Sequence, residues 1–409
     1  MQPVDHGPPA DDLPSIPHEP LGRLFLRFLR FGALAWGGPV AQIGMIRQEL
    51  VERERWIGKE QFNRVLAVYQ VLPGPEAHEL CVYFGYRSRG RIGGLLAGLG
   101  FMLPGFVLMF VLSWFYVRHG VQLAGLSGVF AAVQAVVAAL IVRAVVRIGV
   151  HVVVDRWLWA IAILAMAAQL AGVHFAFVLL GAGAMYALAT PRWRIAAVGL
   201  GIAAAAIIVV LVAHDGLSGF EALSTPLSEA GSRTHAASVP ALFWSGLKAG
   251  LLTFGGAYMV IPFLQRDAVV QGAWMDNAQF LDGLALSGLL PAPLVIFATF
   301  VGYVGGGPWG AVAMTAGVFL PAFGFTLLGH DVLERALHRP QVHRFLEGLT
   351  AGVVGLIAGT TLALMRSSLT GIEAWILFAL ALAALFATKA RLAVPALILA
   401  AAAWGWWSR

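Results

Sequence analysis

The chain is 409 residues long, 59% hydrophobic and only 12% charged, with a formal net charge of +6 and a mean hydropathy of +0.80. Soluble domains carry roughly 25% charged residues, so a soluble globular protein is excluded. A nucleic-acid binder is excluded too, because 24 of the 27 basic residues are arginines set in short clusters between apolar runs, where basic loops fix membrane orientation.

In chain order, residues 1–22 contain six prolines and four acids but no Lys or Arg. That composition predicts a polar, disordered tail on the cytoplasmic side, without the features of a secretory signal. Arg23, Arg27 and Arg30 share one helical face, placed to snorkel to an interface as a first hydrophobic unit, 23–213, begins. Apolar runs such as 95–117, 129–146 and 198–213 come next. At about 20 residues per crossing, the runs suffice for roughly ten to thirteen crossings. Between them, Arg87, Arg89 and Arg91, the pair Arg143 and Arg147, and the pair Arg192 and Arg194 read as orientation signals. Cys81, the single cysteine, excludes an internal disulfide and a multi-thiolate metal site. Residues 214–239, polar and rich in Ser, Gly and Ala, suit an extramembrane linker to a second unit, 240–409.

The two units are copies. A shift of 218 residues lays Gly37-Gly38 on Gly255-Gly256, Trp56 on Trp274, Gln61-Phe62 on Gln279-Phe280, and Leu72-Pro73-x-Pro75 on Leu290-Pro291-x-Pro293, with 12 identities in the 39 positions 37–75. A one-residue deletion then carries the match on through Gly85-Tyr86 on Gly302-Tyr303 and Leu103-Pro104 on Leu320-Pro321. Apolar composition could align Leu on Leu, but not a Trp, two Gly-Gly pairs and three prolines in order. The fold class expected is therefore all-α and polytopic, with two homologous helical repeats containing discontinuous helices. Duplication of this kind recurs in secondary transporters, often inverted and with the substrate at the interface of the halves; inversion is the favoured arrangement here.

Each copy carries an apolar stretch broken by Pro-x-Pro, at Pro73-Gly74-Pro75 and at Pro291-Ala292-Pro293. Proline removes an amide donor and pushes the preceding residue out of helical geometry, and the second proline can begin a new helix. Backbone left open at membrane depth is tolerated only inside protein or a wet cavity, and such breaks present positive helix ends to anions. A single kink would serve packing; the same break in both copies favours a binding site. Glu76, Ala77 and His78 after the first break, and Leu294 after the second, are thus candidates to cradle an anion with their amides. The breaks at Gly37-Gly38 and Gly255-Gly256 are candidates by the same logic, although small residues also serve helix packing. Titratable groups lie mostly in copy one: Glu76, His78 and Glu79 beside the break, with Glu49, Glu52 and Arg53 in the charged run 47–55 and Asp267 as the copy-two match to Glu49. These are candidates for proton coupling or gating, since a carboxylate within the membrane is costly and a functional candidate by default. The plainer alternatives are a solvated interfacial loop for the run and a helix N-terminal acid for Glu76. Helix ends contribute only about 0.3–2 kcal/mol each to an anion, so a cation is also needed, and Arg87 or Arg53 is the candidate. No metal, haem or phosphate-loop motif is present, so no cofactor is expected, and no catalytic constellation marks an enzyme.

Phe31-Gly32 through Trp36-Gly37-Gly38-Pro39, Glu49-x-x-Glu52-Arg53-x-x-Trp56, Gln70-Val71-Leu72-Pro73-Gly74-Pro75 and Gly85-Tyr86-Arg87 resemble the N-terminal unit of the chromate ion transporter family. Phe254-Gly255-Gly256-Ala257-Tyr258, Trp274, Pro291-x-Pro293 and Phe300-Val301-Gly302-Tyr303 resemble its C-terminal unit. The resemblance spans about Leu21 to Trp407 and implies a two-unit protein of the bacterial cytoplasmic membrane that exports chromate, with sulfate as the related dianion. Two segments depart from the family pattern, Glu76-Ala77-His78-Glu79 in place of Asn- and Ser-type residues and Ala292 in place of Gly. The mechanism expected is alternating access at two facing breaks. The alternatives are a proton-coupled carrier of a different anion or, in another class, a membrane-embedded enzyme or a channel. The partners are an inorganic oxyanion and the lipid bilayer, with a homodimer left open.

Overall fold

Glycine pairs and Pro-x-Pro motifs interrupt the first part of each copy, and the computed structural model resolves the chain into helices separated by turns. It describes residues 16–120, 126–224, 236–254, 256–328, 339–388, 390 and 392–408. Most of the expected tail (1–15), part of the linker (225–235) and Gly255 lie outside the described residues.

Copy one opens with α1 (Leu21–Ala33), α2 (Gly38–Ile46, prolonged by a π-helical turn to Arg53), α3 (Lys59–Val71) and α4 (Glu76–Phe115). Helices α5 (Leu126–Val152), α6 (Arg156–Leu170) and α7 (Phe175–Leu188) complete it. Helices α8 (Arg194–Asp215) and α9 (Ser218–Ser224) lead to copy two, so the expected linker begins with helix. Copy two repeats the order with α10 (Val239–Leu251), α11 (Val260–Gln265), α12 (Asn277–Gly288), α13 (Phe297–Leu328), α14 (Pro340–Ser368), α15 (Ile372–Ala387) and α16 (Ala393–Trp407). A capping box of Asp276 and Gln279 starts α12, satisfying two of its open amides.

Helices α4 and α13 each fold back on themselves. Non-helical backbone at Arg89-Gly90 and at Gly306-Gly307 turns the chain, with positive φ at Gly90 and Gly307. The legs then pack glycine on glycine, Gly85 against Gly93 and Gly302 against Gly310, so close that an added Cβ would strike a backbone carbonyl. Small residues permit this approach where apolar side chains gain nothing over lipid. Gly302→Ala is accordingly expected to cost about 1–3 kcal/mol, the usual penalty of overpacking. It should appear as a lower unfolding temperature in detergent, and an unchanged one would contradict the contact.

The short helices therefore dip in and return. Trp56, just before α3, stacks edge-on against Phe84 at 6.0 Å, although a break and some nine further residues separate Phe84 from the end of α3. The same end of the molecule gathers the start of α1: Ser88 Oγ donates to the Pro17 carbonyl at 2.6 Å, Arg89 Nε to the Glu19 carbonyl, and Arg27 pairs with Glu19 and Glu54. Residues 17–19, expected to lie in a disordered tail, are pinned by these bonds. Copy two does likewise, with the Ala237 amide on the Gly305 carbonyl at 2.7 Å and Gly305 against Trp274.

The two gatherings lie at opposite ends. The long leg of α4 leaves the N-terminal end and runs antiparallel to that of α13, Gly94 against Leu327 and Gly98 against Phe323. Just beyond its far end the Tyr116 hydroxyl donates to Asp282, midway along α12, at 2.8 Å. Gln134, early in α5, donates to the same carboxylate. The copies are thus inverted. Helix α8, almost unburied along its length, is the segment that follows copy one. Among the described residues five helices are long and apolar enough to cross a membrane, and four apolar ones are shorter.

Candidate functional site

Each copy sends two loops to the middle of the molecule, the Gly-Gly turn between its first two helices and the Pro-x-Pro turn between its third and fourth. The structure pairs the break of copy one with copy two, through the Gly74 amide on the Thr253 carbonyl and a bridge of Pro73 with Phe254. The break of copy two and the Gly37-Gly38 segment of copy one instead stand on opposite sides of a cavity.

The first crossing is closed. Leu72 is extended and Pro75 caps α4. Between them the Gly74 amide donates to the Thr253 carbonyl at 2.9 Å, and Pro73 forms an antiparallel bridge with Phe254. Gly74 sits at φ +155, where an added Cβ would lie 2.8 Å from Glu79 Oε1 and 3.2 Å from the Ala322 Cβ. Behind it Glu76, Ala77, His78 and Glu79 are all buried. The His78 ring is enclosed edge-on by Phe319 at 4.9 Å and Phe323 at 4.7 Å, and the Glu79 carboxyl finds no hydrogen-bond partner among the described residues. Glu76 reaches toward Gly256, 4.0 Å from where its Cβ would stand.

The second crossing is open. Gly37 and Gly38 turn the chain into α2 with Pro39 in its first turn, and opposite them lies the break of copy two, with Ala292 against Gly105. Between these loops is a cavity of about 670 Å³ that Trp36, Gly37, Gly38 and Pro39 line on one side and Ser287, Gly288, Ala292 and Leu294 on the other. Pro291 and Pro293 flank Ala292 in the chain but do not themselves line the cavity. Helix α5 closes a third side with Arg143, Arg147 and His151, and Tyr258 reaches in from the loop of the closed crossing. The volume is in the range of ligand pockets and far exceeds one bare oxyanion, so an ion there keeps water. The local bonds of this crossing are turned inward: the Ala292 amide donates to Leu290, and buried Gln42 donates to the Ala35 carbonyl at 2.9 Å.

The expected cations are not at either crossing. Arg87 is exposed at the outer end of the first leg of α4, and Arg53 pairs with Glu49 at 3.0 Å. Glu52 pairs with Arg47, and Asp267 with Lys248 at 2.8 Å and with the Ser245 hydroxyl. Their dipping helices carry them to the ends of the molecule, so none of these candidate gating residues lines the cavity. Arg143 and Arg147 do, although the sequence suggested only an orientation signal. The overlooked sign was their spacing of four within an apolar helix, which puts both on one face.

Among known proteins, the family model described as "Chromate transporter" matches residues 22–189 and again 240–406. A chromate transport protein of Pseudomonas aeruginosa is 54% identical over 388 residues, 94% of this chain and 91% of that protein. A chromate transport protein of Cupriavidus metallidurans is 31% identical over 96% of this chain and 94% of its own length. An uncharacterized transporter of Methanocaldococcus jannaschii is 27% identical over 87% of each. No solved structure matches.

Proposed function

The chain belongs to the chromate transporter family, and from that membership we propose that it exports chromate across a bacterial cytoplasmic membrane by alternating access at the two crossings. One observation carries this reading: inverted copies place equivalent loops at both crossings, yet one crossing is bridged and the other opens on a cavity. Repeat correspondence maps the bridge of Gly74 with Thr253 and Pro73 with Phe254 onto Ala292 with Ala35 and Pro291 with Trp36. Two equivalent sites in unequal states are what a carrier needs, because exchanging the states exposes the ion to the other side. In the exchanged state the Ala292 amide leaves Leu290 for the Ala35 carbonyl, which Gln42 occupies in the meantime.

Charge supports the direction. The cavity rim includes His151 in the last turn of α5, at the N-terminal end, where Arg23, Arg27, Arg30, Arg87, Arg89 and Arg91 also lie. Excess arginine marks the cytoplasmic side, so this is the inward-open state. A dianion leaving an inside-negative cell gains about 2.3 kcal/mol per charge for each 100 mV, so export needs no coupled ion. Sulfate, with the same charge and shape, should compete. The burial of Glu76, His78 and Glu79 beside the closed crossing favours one second reading, a proton-coupled carrier of a different anion.

Vesicles reconstituted with the full chain separate the two. Chromate should move down an imposed potential toward the positive side with no pH gradient, and added sulfate should slow it. Flux that appears only with a proton gradient would replace the first reading with the second.

A further inference from the structure

We infer that Arg143 and Arg147, one turn apart on α5, form the docking site for a tetrahedral dianion on the wall of the open cavity. The inference rests on the transport reading and supplies the cation that reading lacks. At the N-terminal end several arginines are engaged by carboxylates, Arg27 with Glu19 and Glu54, Arg47 with Glu52, and Arg53 with Glu49. Arg143 and Arg147 pair with no described carboxylate, and no described carboxylate lines the cavity. Unpaired arginine on an apolar helix is costly, and it persists where it faces a water-filled path or an ion.

Spacing and chemistry narrow the ligand. Residues four apart stand about 5–6 Å apart at Cβ on one helix face, so the two guanidinium groups can close on one small ion. A guanidinium presents parallel N–H donors that match the paired oxygens of an oxyanion. Two cations with no acid nearby fit two negative charges, and so favour chromate or sulfate over nitrate or chloride. The opposite wall adds backbone from the Gly37-Gly38 turn and the second break, and Tyr258 offers a hydroxyl donor. An ion seated between α5 and these loops also grips both copies.

The test is equilibrium dialysis of labelled chromate against the purified full chain in lipid nanodiscs at fixed ionic strength. Wild type should bind chromate, with sulfate displacing it and nitrate failing to. Arg143→Gln and Arg147→Gln should each weaken binding at least tenfold, with Arg→Lys at either position recovering part. Arg87→Gln should bind as wild type does. Melting of the ligand-free proteins identifies any Gln variant that has lost its fold, and the Lys variants then carry the comparison. The inference is overturned if both Gln variants, or in their place both Lys variants, hold chromate as tightly as Arg87→Gln does. It is also overturned if nitrate displaces chromate as well as sulfate. If wild type binds chromate through these arginines but moves none in vesicles, the transport reading fails and the docking site stands. If wild type moves chromate and the Gln variants move it equally well, only the docking site fails.

Discussion

Replacing Gly74 by Val is expected to reduce chromate transport by about thirtyfold or more while the protein still inserts and purifies as a folded chain. At φ +155 an L residue is strained, by about 1–3 kcal/mol. The new side chain would also start 2.8 Å from Glu79 Oε1 and 3.2 Å from Ala322, an overpacking that typically costs a further ~1–3 kcal/mol. Together these disfavour the bridged crossing by about 2–6 kcal/mol, and roughly 1.4 kcal/mol corresponds to a tenfold change in population. A carrier that must pass through this state slows by a similar factor. Gly44→Ala is the control, since no atom lies within 4 Å of its added Cβ. Flux in vesicles, alongside gel filtration for folding, reads the result; near-normal flux by a folded Gly74→Val protein would reassign the break to packing.

Much of this architecture is local and hence legible in the sequence. Proline and glycine act on their own backbone, so breaks near Pro73 and Pro291 and turns near Gly37 arise from residue type alone. The duplication is legible because Trp56, Trp274 and the paired prolines keep their order. What sequence does not carry is the direction a chain takes after a break. That α3 and the first leg of α4 return to one end is decided by long-range contacts, Trp56 with Phe84 and Gly85 with Gly93. Depth is equally hidden. Arg53, Arg87 and Arg143 are the same residue type near equally suggestive motifs, and only the packed fold puts Arg143 on the cavity and leaves the others at an end. The cavity itself joins residues 36–39, 143–151 and 287–294, three segments about 100 or more residues apart, so its lining could not be assembled from spacing. The pairing of Gly74 with Thr253 and of Pro73 with Phe254 belongs to the same class of information.

The exchange of states between the two crossings is the central claim, and one cross-link tests it. In a Cys81→Ser background, Ala35→Cys with Ala292→Cys places thiols at the positions that correspond by repeat to Thr253 and Gly74, which are hydrogen-bonded in the closed crossing. In the structure the cavity lies between these loops, whereas a disulfide needs Cα atoms about 4.4–6.8 Å apart. The bond should therefore form under mild oxidation only as the open crossing closes during turnover. Once formed it should arrest chromate flux in vesicles, and reductant should restore that flux. Full flux with the disulfide in place, or steady transport during which the two cysteines never cross-link, would contradict the exchange.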